Sequence, residues 1–282
     1  MEDKHIDASR VREKIEEAVK EITPKKEAIF YNPNYRHNIK MIWESPKWRR
    51  ANKASCAASI VETRPQETHK LKLTISSLSK KLKVPIHIFC GTENINDVLK
   101  IAASTRESPC KLFQIESGIK STKEYNQLLM SYEYWENIQK CEKILIFQTD
   151  SSVCNKSAHK LEDFSVFDYI GGQWGNKRPS GFLTYGGCGG FSLRDYRMSI
   201  LALKMFGNSG WQFGEDGFFA FFIEVLHGRV ANQQEMDKFC SQLWWKEGCF
   251  GIHKLDLAKL SNTELKSVKI HCPNWISMTD LD

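Results

Sequence analysis

No run of 18 apolar residues occurs in this sequence, so a membrane-spanning helix is not expected. The opening residues Met1-Glu2-Asp3-Lys4 lack the basic-then-apolar layout of a signal peptide. Nine cysteines are present, an odd number, and no two form a CxxC pair. That spacing argues for free thiols in a reducing compartment and against a disulfide frame or a zinc site. Together these absences make a cytoplasmic protein the expectation. There is no internal repeat, no low-complexity segment, no GxGxxG and no phosphate-cradling P-loop motif. A large excess of one charge is missing too, since the net charge is only +6.

What charge there is lies mostly in one place. Residues 36–53 hold Arg36, Lys40, Lys47, Arg49, Arg50 and Lys53 against Glu44, five of the six net charges. With Trp43 and Trp48 interleaved, the run reads as a nucleic-acid or membrane-surface patch, or as a solvated linker whose tryptophans pack on the main domain. The run is short and the rest of the chain is near neutral, so the linker is favoured and nucleic acid is not an expected partner.

The remaining composition is that of a globular protein: 282 residues, 41% hydrophobic and 26% charged, with 8 Trp and 16 Phe. Val11, Ile15, Ala18, Val19 and Ile22 recur at helical spacing and predict an amphipathic helix over 7–22, ended by Pro24. Residues 24–55 show no clear period. The first 55 residues are therefore read as an N-terminal extension, and 56–282 as the main domain. From Ala57 onward, strands and helices alternate. Strands are predicted at Ser59–Val61, Ile86–Cys90, Leu112–Ile115 and Ile144–Phe147. Helices are predicted from Leu71, Ile75, Leu78 and Leu82, and from Ile95, Val98, Leu99 and Ala102. Tyr125, Leu128, Leu129, Tyr132, Trp135 and Ile138 predict one further helix. This alternation implies an α/β fold with a Rossmann-like, mostly parallel central sheet flanked by helices. After Asp150 the spacing is irregular, with short strands at 169–170 and 191–193 and helices near 195–206 and 216–227.

The chemistry concentrates between Lys143 and Asp216. The apolar run Ile144–Phe147 ends in Gln148-Thr149-Asp150-Ser151, which puts a lone carboxylate where open α/β sheets bind ligands. Asp150 there is a candidate ligand for Mg²⁺ or Mn²⁺ on a diphosphate, or a strand-end turn cap. His253, after Gly251, is a candidate nitrogen ligand or a structural histidine, and Lys254 beside it suits phosphate charge. Glu215-Asp216 reads either as helix capping or as a general base. The cluster Gly186-Gly187-Cys188-Gly189-Gly190 reads as a tight turn or as backbone approached by a ligand, with Gly189 and Gly190 next to a sugar. Trp174 and Trp211 are candidates to stack on a sugar face, or core residues.

The ordered set Val61-Glu62-Thr63-Arg64-Pro65, Tyr125-Asn126, Phe147-Gln148-Thr149-Asp150-Ser151, Phe167-Asp168-Tyr169-Ile170-Gly171, Gly189–Arg194, Glu215-Asp216 and Gly251-Ile252-His253-Lys254 resembles a domain family of bacteria, fungi and large DNA viruses. That family is regarded as glycosyltransferase-like with a GT-A fold, and the resemblance covers about residues 57–255. It implies an enzyme that moves a sugar from a UDP- or GDP-linked donor to a glycan or glycoconjugate hydroxyl. Carried over by residue, Asp150 matches the last acid of a DxD motif, His253 the late metal ligand, and Glu215 or Asp216 the base of an inverting enzyme. Thr63 and Arg64 match the nucleobase side, with Gln148, Ser151 and Lys254 completing the nucleotide site. Gln148 stands where the first DxD acid would be, so Mn²⁺ or Mg²⁺ binding rests on one carboxylate and is weakened. The alternative is a catalytically silent nucleotide- or glycan-binding module of the same fold.

Overall fold

The computed structural model describes residues 31–48, 54–138, 141–174 and 186–275. The helix predicted over 7–22 lies outside these residues, as do Arg49, Arg50 and Lys53 of the basic run. A seven-stranded sheet forms the centre. Its strands are β1 (Ile39–Glu44), β2 (Cys56–Val61), β3 (Ile86–Cys90), β4 (Cys110–Ile115), β5 (Lys143–Phe147), β7 (Tyr169–Gly172) and β8 (Cys188–Asp195), in the order β1-β4-β3-β2-β5-β8-β7. The short β6 (Ser151–Val153) belongs to a second sheet.

β2 to β5 are mutually parallel. Their apolar runs are continuous because both faces are covered. Along β5 the side chains alternate: Leu145 and Phe147 join one core, Ile144 and Ile146 the other. Helices α1 (Thr68–Leu82) and α2 (Ile95–Ser104) supply the first core through Leu71, Ile75, Leu78 and Val98. The opposite face carries α3 (Thr122–Leu129), α4 (Tyr132–Asn137), α5 (Tyr196–Phe206) and α6 (Glu215–Val225). The mixed α/β class with a mostly parallel sheet flanked by helices therefore stands as expected. From β2 the chain steps outward to β3 and β4, then returns to lay β5 on the other side of β2. Ligands of open α/β sheets collect at such a reversal, outside the carboxyl ends of the strands.

Two elements differ from the sequence reading. The single helix expected over Tyr125–Ile138 is two, α3 and α4, because the Ser131 hydroxyl accepts the Tyr134 N–H at 3.4 Å and caps a new start. The aperiodic residues 24–55 contain β1, an edge strand antiparallel to β4 with a bulge between Met41 and Trp43. A half-exposed edge strand interrupted by a bulge has no clean alternation to read. Trp48 is buried edge-on against His87 at 5.0 Å, and Trp43 packs on the first core. Both tryptophans thus pack on the domain as expected, while the segment read as a solvated linker supplies β1 to the central sheet instead.

The second sheet, in the order β6-β10-β9, joins β6, β9 (Cys240–Ser241) and β10 (Gly251–His253). α7 (Gln233–Phe239) precedes β9, and α8 (Asn262–His271) packs on this sheet through Val268. Here the cysteine expectation is corrected. Cys154 and Cys272, 118 residues apart, form a disulfide, and the other seven cysteines are free. Spacing along the chain could not show a pair that only the packing of α8 brings together, and the bond removes the free-thiol argument for a reducing compartment. Among the described residues no helix is long and apolar enough to cross a membrane.

Candidate functional site

At the reversal between β2 and β5 lies a cavity of about 450 Å³. Its walls include Thr63, Arg64, Gln148, Asp150 and Lys254, five residues singled out in the sequence from three separate segments. Each is held by its own local chemistry. After β2, the Glu62 carboxylate is only 4% exposed and takes the Arg64 fork, Nε to Oε1 at 2.9 Å and Nη2 to Oε2 at 2.7 Å. This contact holds the guanidinium charged and fixes it at the rim. The Thr63 hydroxyl donates to the Ile119 carbonyl and accepts the Ile119 N–H, at 3.1 and 2.8 Å, so it braces the neighbouring loop. After β5, Ser151 closes a tight turn, its hydroxyl donating to the Gln148 carbonyl at 2.6 Å. Ser151 is buried and does not line the cavity; the nucleotide role expected of it is replaced by this turn-closing one.

β10 runs antiparallel to β6 with His253 opposite Ser151, which brings the late histidine beside Asp150. His253 Nε2 is 3.2 Å from Asp150 Oδ1 and 3.3 Å from Gln148 Oε1, while Nδ1 donates to Gln242 Oε1 at 3.0 Å. All three partners are acceptors, so without a cation both ring nitrogens carry protons, and a metal ion at this point would take the place of the Nε2 proton. Burial opposes that charge, yet the Asp150 carboxylate, with the Cys188 sulfur, pushes His253 up to about 9. Burial likewise works against the Asp150 charge, and His253 and Lys254 outweigh it to hold the carboxyl below its ordinary value. Asp150 is 39% exposed through its side chain, but Oδ1 is buried and lacks an aligned hydrogen bond.

Such an under-satisfied oxygen is a test of whether a cation fits. Asp150 Oδ1 and Gln148 Oε1 each lie within 3.3 Å of His253 Nε2. Adjacent donors on an octahedral ion with bonds of about 2.1 Å lie about 3 Å apart, so the spacing is compatible. Among the described residues no group of three His, Cys, Asp or Glu side chains could hold a metal. Gln148 is the third donor here, an amide oxygen of the kind hard cations accept. The Gln242 acceptor fixes Nδ1–H and so turns Nε2 toward the same point.

The glycines of β8 serve these side chains. A Cβ on Gly190 would collide with the His253 ring, and one on Gly189 with the Glu215 carboxylate and Arg194. Successive strand residues face opposite sides, so β8 passes between the two groups. The reading of Gly189 and Gly190 as backbone bared for a ligand is therefore corrected: the space is filled by protein. Glu215 is spoken for as well. It forms a buried bidentate pair with Arg194, Nη1 to Oε2 at 2.5 Å and Nη2 to Oε1 at 3.0 Å. A carboxylate committed in this way does not collect a substrate proton. Asp216 beside it is partly exposed, accepting Gly217 N–H at 2.8 Å and Gly189 N–H at 3.3 Å. Trp211 is buried among Phe213, Phe218 and Phe222, with Nε1 donating to the Gly214 carbonyl at 2.9 Å. It is core and presents no face to a sugar. Trp174 is half-buried at the margin of the second core.

A family model described as "Protein of unknown function (DUF5672)" matches residues 108–254, just over half of the chain. The chain belongs to that family. In this DUF5672 protein the matched segment holds Gln148, Asp150, Gly189, Gly190, Asp216 and His253, while Thr63 and Arg64 lie ahead of it. No curated protein matches the chain. Solved structures similar to it include mouse xyloside xylosyltransferase 1 in its apo form, at 10% identity and a TM-score of 0.46, covering 74% of this chain and 100% of that one. Another is core-mannan synthase A from Aspergillus fumigatus in its Mn/GDP form, at 12% identity and a TM-score of 0.45, covering 82% of each chain.

Four residues that hold or border the candidate site were not singled out as site residues in the sequence: Glu62, Tyr125, Arg194 and Gln242. Tyr125 lines the cavity with a buried hydroxyl that lacks an aligned partner, and burial raises it well above an ordinary phenol. Gln242 carried no signal at all, since its role exists only once β9 and β10 pair. Gly190→Ala tests the packing account. The added methyl group meets the buried His253 ring and stands 2.8 Å from Gln148 Oε1. A loss of about 1–3 kcal/mol is expected, read as a fall of several degrees in the thermal midpoint. An unchanged midpoint would mean that the imidazole is free to swing away.

Proposed function

We propose that this DUF5672 chain is a glycosyltransferase of GT-A type that uses a UDP- or GDP-linked sugar and inverts the anomeric carbon. One observation carries the reading. Asp150, His253 and Gln148 gather on one side of a cavity at the sheet's reversal point, with the cations Arg64 and Lys254 on its rim. A diphosphate needs that mixture of cation and hard-ligand chemistry, and a plain structural ion pair does not. In this reading Thr63 and Arg64 face the nucleobase, Lys254 meets the phosphates, and Trp174 borders the sugar. Asp150, Gln148 and His253 would hold Mn²⁺ or Mg²⁺, whose chemistry is to neutralise the leaving diphosphate. Asp216 takes the proton from the acceptor hydroxyl. The hydroxyl oxygen then bonds to the anomeric carbon as the bond from that carbon to the diphosphate oxygen breaks. The transferase unit is proposed to span residues 56–282, with β1 of segment 1–55 completing its sheet.

The experiment is a thermal-shift panel of nucleoside diphosphates and nucleotide sugars, each with and without Mn²⁺. A ligand at 100 times its Kd stabilises by about 2.7 kcal/mol, a rise of roughly 5–10 °C for a domain of this size. A rise with one nucleotide that needs Mn²⁺ and is lost in Asp150→Ala is the expected result. Binding with no sugar transfer or donor hydrolysis would favour the silent nucleotide-binding module. No rise with any nucleotide would sink the donor site.

A further inference from the structure

A second cavity, of about 550 Å³, adjoins the first, and Lys120 and Ser121 line both. Its far wall comes from the segment that precedes β1, through Tyr31, Tyr35 and His37. His37 is only 5% exposed, and its Nε2 has no hydrogen-bond partner. Burial lowers its proton affinity, and the ring bonds the Gln127 backbone on its other side. The ring is thus neutral, with one nitrogen donating and Nε2 left as a buried acceptor. A buried acceptor without a partner is costly unless something donates to it. Tyr35 packs edge-on to His37 at 4.7 Å, yet its ring is 50% exposed. An open aromatic face next to an unfilled acceptor suits a ligand with hydroxyl groups on an apolar ring.

Hydrogen bonds link the cavity wall to the start of α6, where the candidate base stands. The Tyr31 hydroxyl accepts from Asn126 Nδ2 at 3.2 Å, and Asn126 Oδ1 accepts the Glu215 N–H at 3.4 Å. The charges of Glu215 and Asp216 are both felt at that phenol. A molecule seated against Tyr31 is thus two hydrogen bonds from the helix start that carries Asp216, while Asp150 lines the first cavity.

We propose that this second cavity is the acceptor site and takes a neutral sugar ring, stacked on Tyr35 and donating a hydroxyl hydrogen to His37 Nε2. The proposal rests on the transferase reading and names its acceptor class. The test is a titration of the full chain with methyl glycosides of xylose, glucose, mannose and galactose, following the ring signals of Tyr35 and His37 by NMR. At least one glycoside should shift both rings, and Tyr35→Ala should weaken it roughly tenfold, with nucleoside diphosphate affinity unchanged within twofold. His37→Phe, which keeps the ring and removes the acceptor, should weaken it as well; Tyr35 is exposed, so its variant is the one that does not depend on refolding a buried site. Glycoside shifts confined to residues around Thr63 and Lys254 would overturn the proposal. So would a chain that binds nucleoside diphosphate but no glycoside of the panel, or equal losses of both ligands in Tyr35→Ala. Silence toward nucleotides and glycosides alike would remove the transferase reading and this inference with it.

Discussion

Arg194→Met is expected to destabilise the protein by about 3–5 kcal/mol, because it strands the Glu215 carboxylate in the core without a partner. Arg194 has no exposed surface. Its Nε donates to Ser192 Oγ at 3.0 Å, and its guanidinium carbon sits 5.1 Å from the Tyr169 ring and 5.0 Å from that of Phe219. Burial works against the arginine's charge, and the Glu215 carboxylate more than offsets it and holds the proton firmly. Removing only the cation therefore leaves a desolvated anion. Removing both, in Arg194→Met with Glu215→Leu, replaces the pair by apolar groups of similar shape and should recover most of the loss. Urea unfolding of wild type, the single variant and the double variant reads this directly. A single variant within 1 kcal/mol of wild type would show that Glu215 reaches water or a proton by another route, and would return it to the list of candidate bases.

The second large effect is on turnover. Asp216→Asn keeps size and shape but removes the proton acceptor, and a positioned base contributes about 10²–10⁴-fold to rate. On whichever donor the nucleotide panel identifies, kcat should fall by that factor while the nucleotide-induced thermal shift stays as it was. The variant alters one of two hydrogen bonds that the side chain accepts, from Gly217 and Gly189. Its stability should consequently fall by no more than about 1.5 kcal/mol. Glu215→Gln is the control. It weakens the buried pair and should lower stability more than Asp216→Asn does. A kcat within threefold of wild type in Asp216→Asn would move the base to another group.

These two neighbours illustrate what a sequence can and cannot separate. Glu215 and Asp216 are adjacent acids at a helix start, and nothing in their order says which one faces the core. The answer lies in Arg194, 21 residues earlier on β8, whose side chain enters the core and claims Glu215. The same holds for the glycines. Their number announced close approach, and only the register of β8 against β5 and the return of β10 showed that His253 and Glu215 are what approach. Trp211 and Trp174 could not be ranked as stacking residues until one was found buried and the other at a margin.

The sequence by itself determined the β2–β5 core, because strands buried on both faces write their burial as unbroken apolar runs, and α1 and α2 write theirs as a 3.6-residue period. It also put Asp150 just past the carboxyl end of β5, since loops meet there at the reversal of an open sheet, whereas Thr63, Arg64 and Gln148 were proposed only through the resemblance. Tertiary structure alone decided the His253–Gln242 contact, the Cys154–Cys272 bond, the Arg194–Glu215 pair and the second cavity around His37. Each joins residues at least eleven positions apart in sequence, and one joins residues 118 apart. Local periodicity carries no information at that range; only the packing of one finished element on another does.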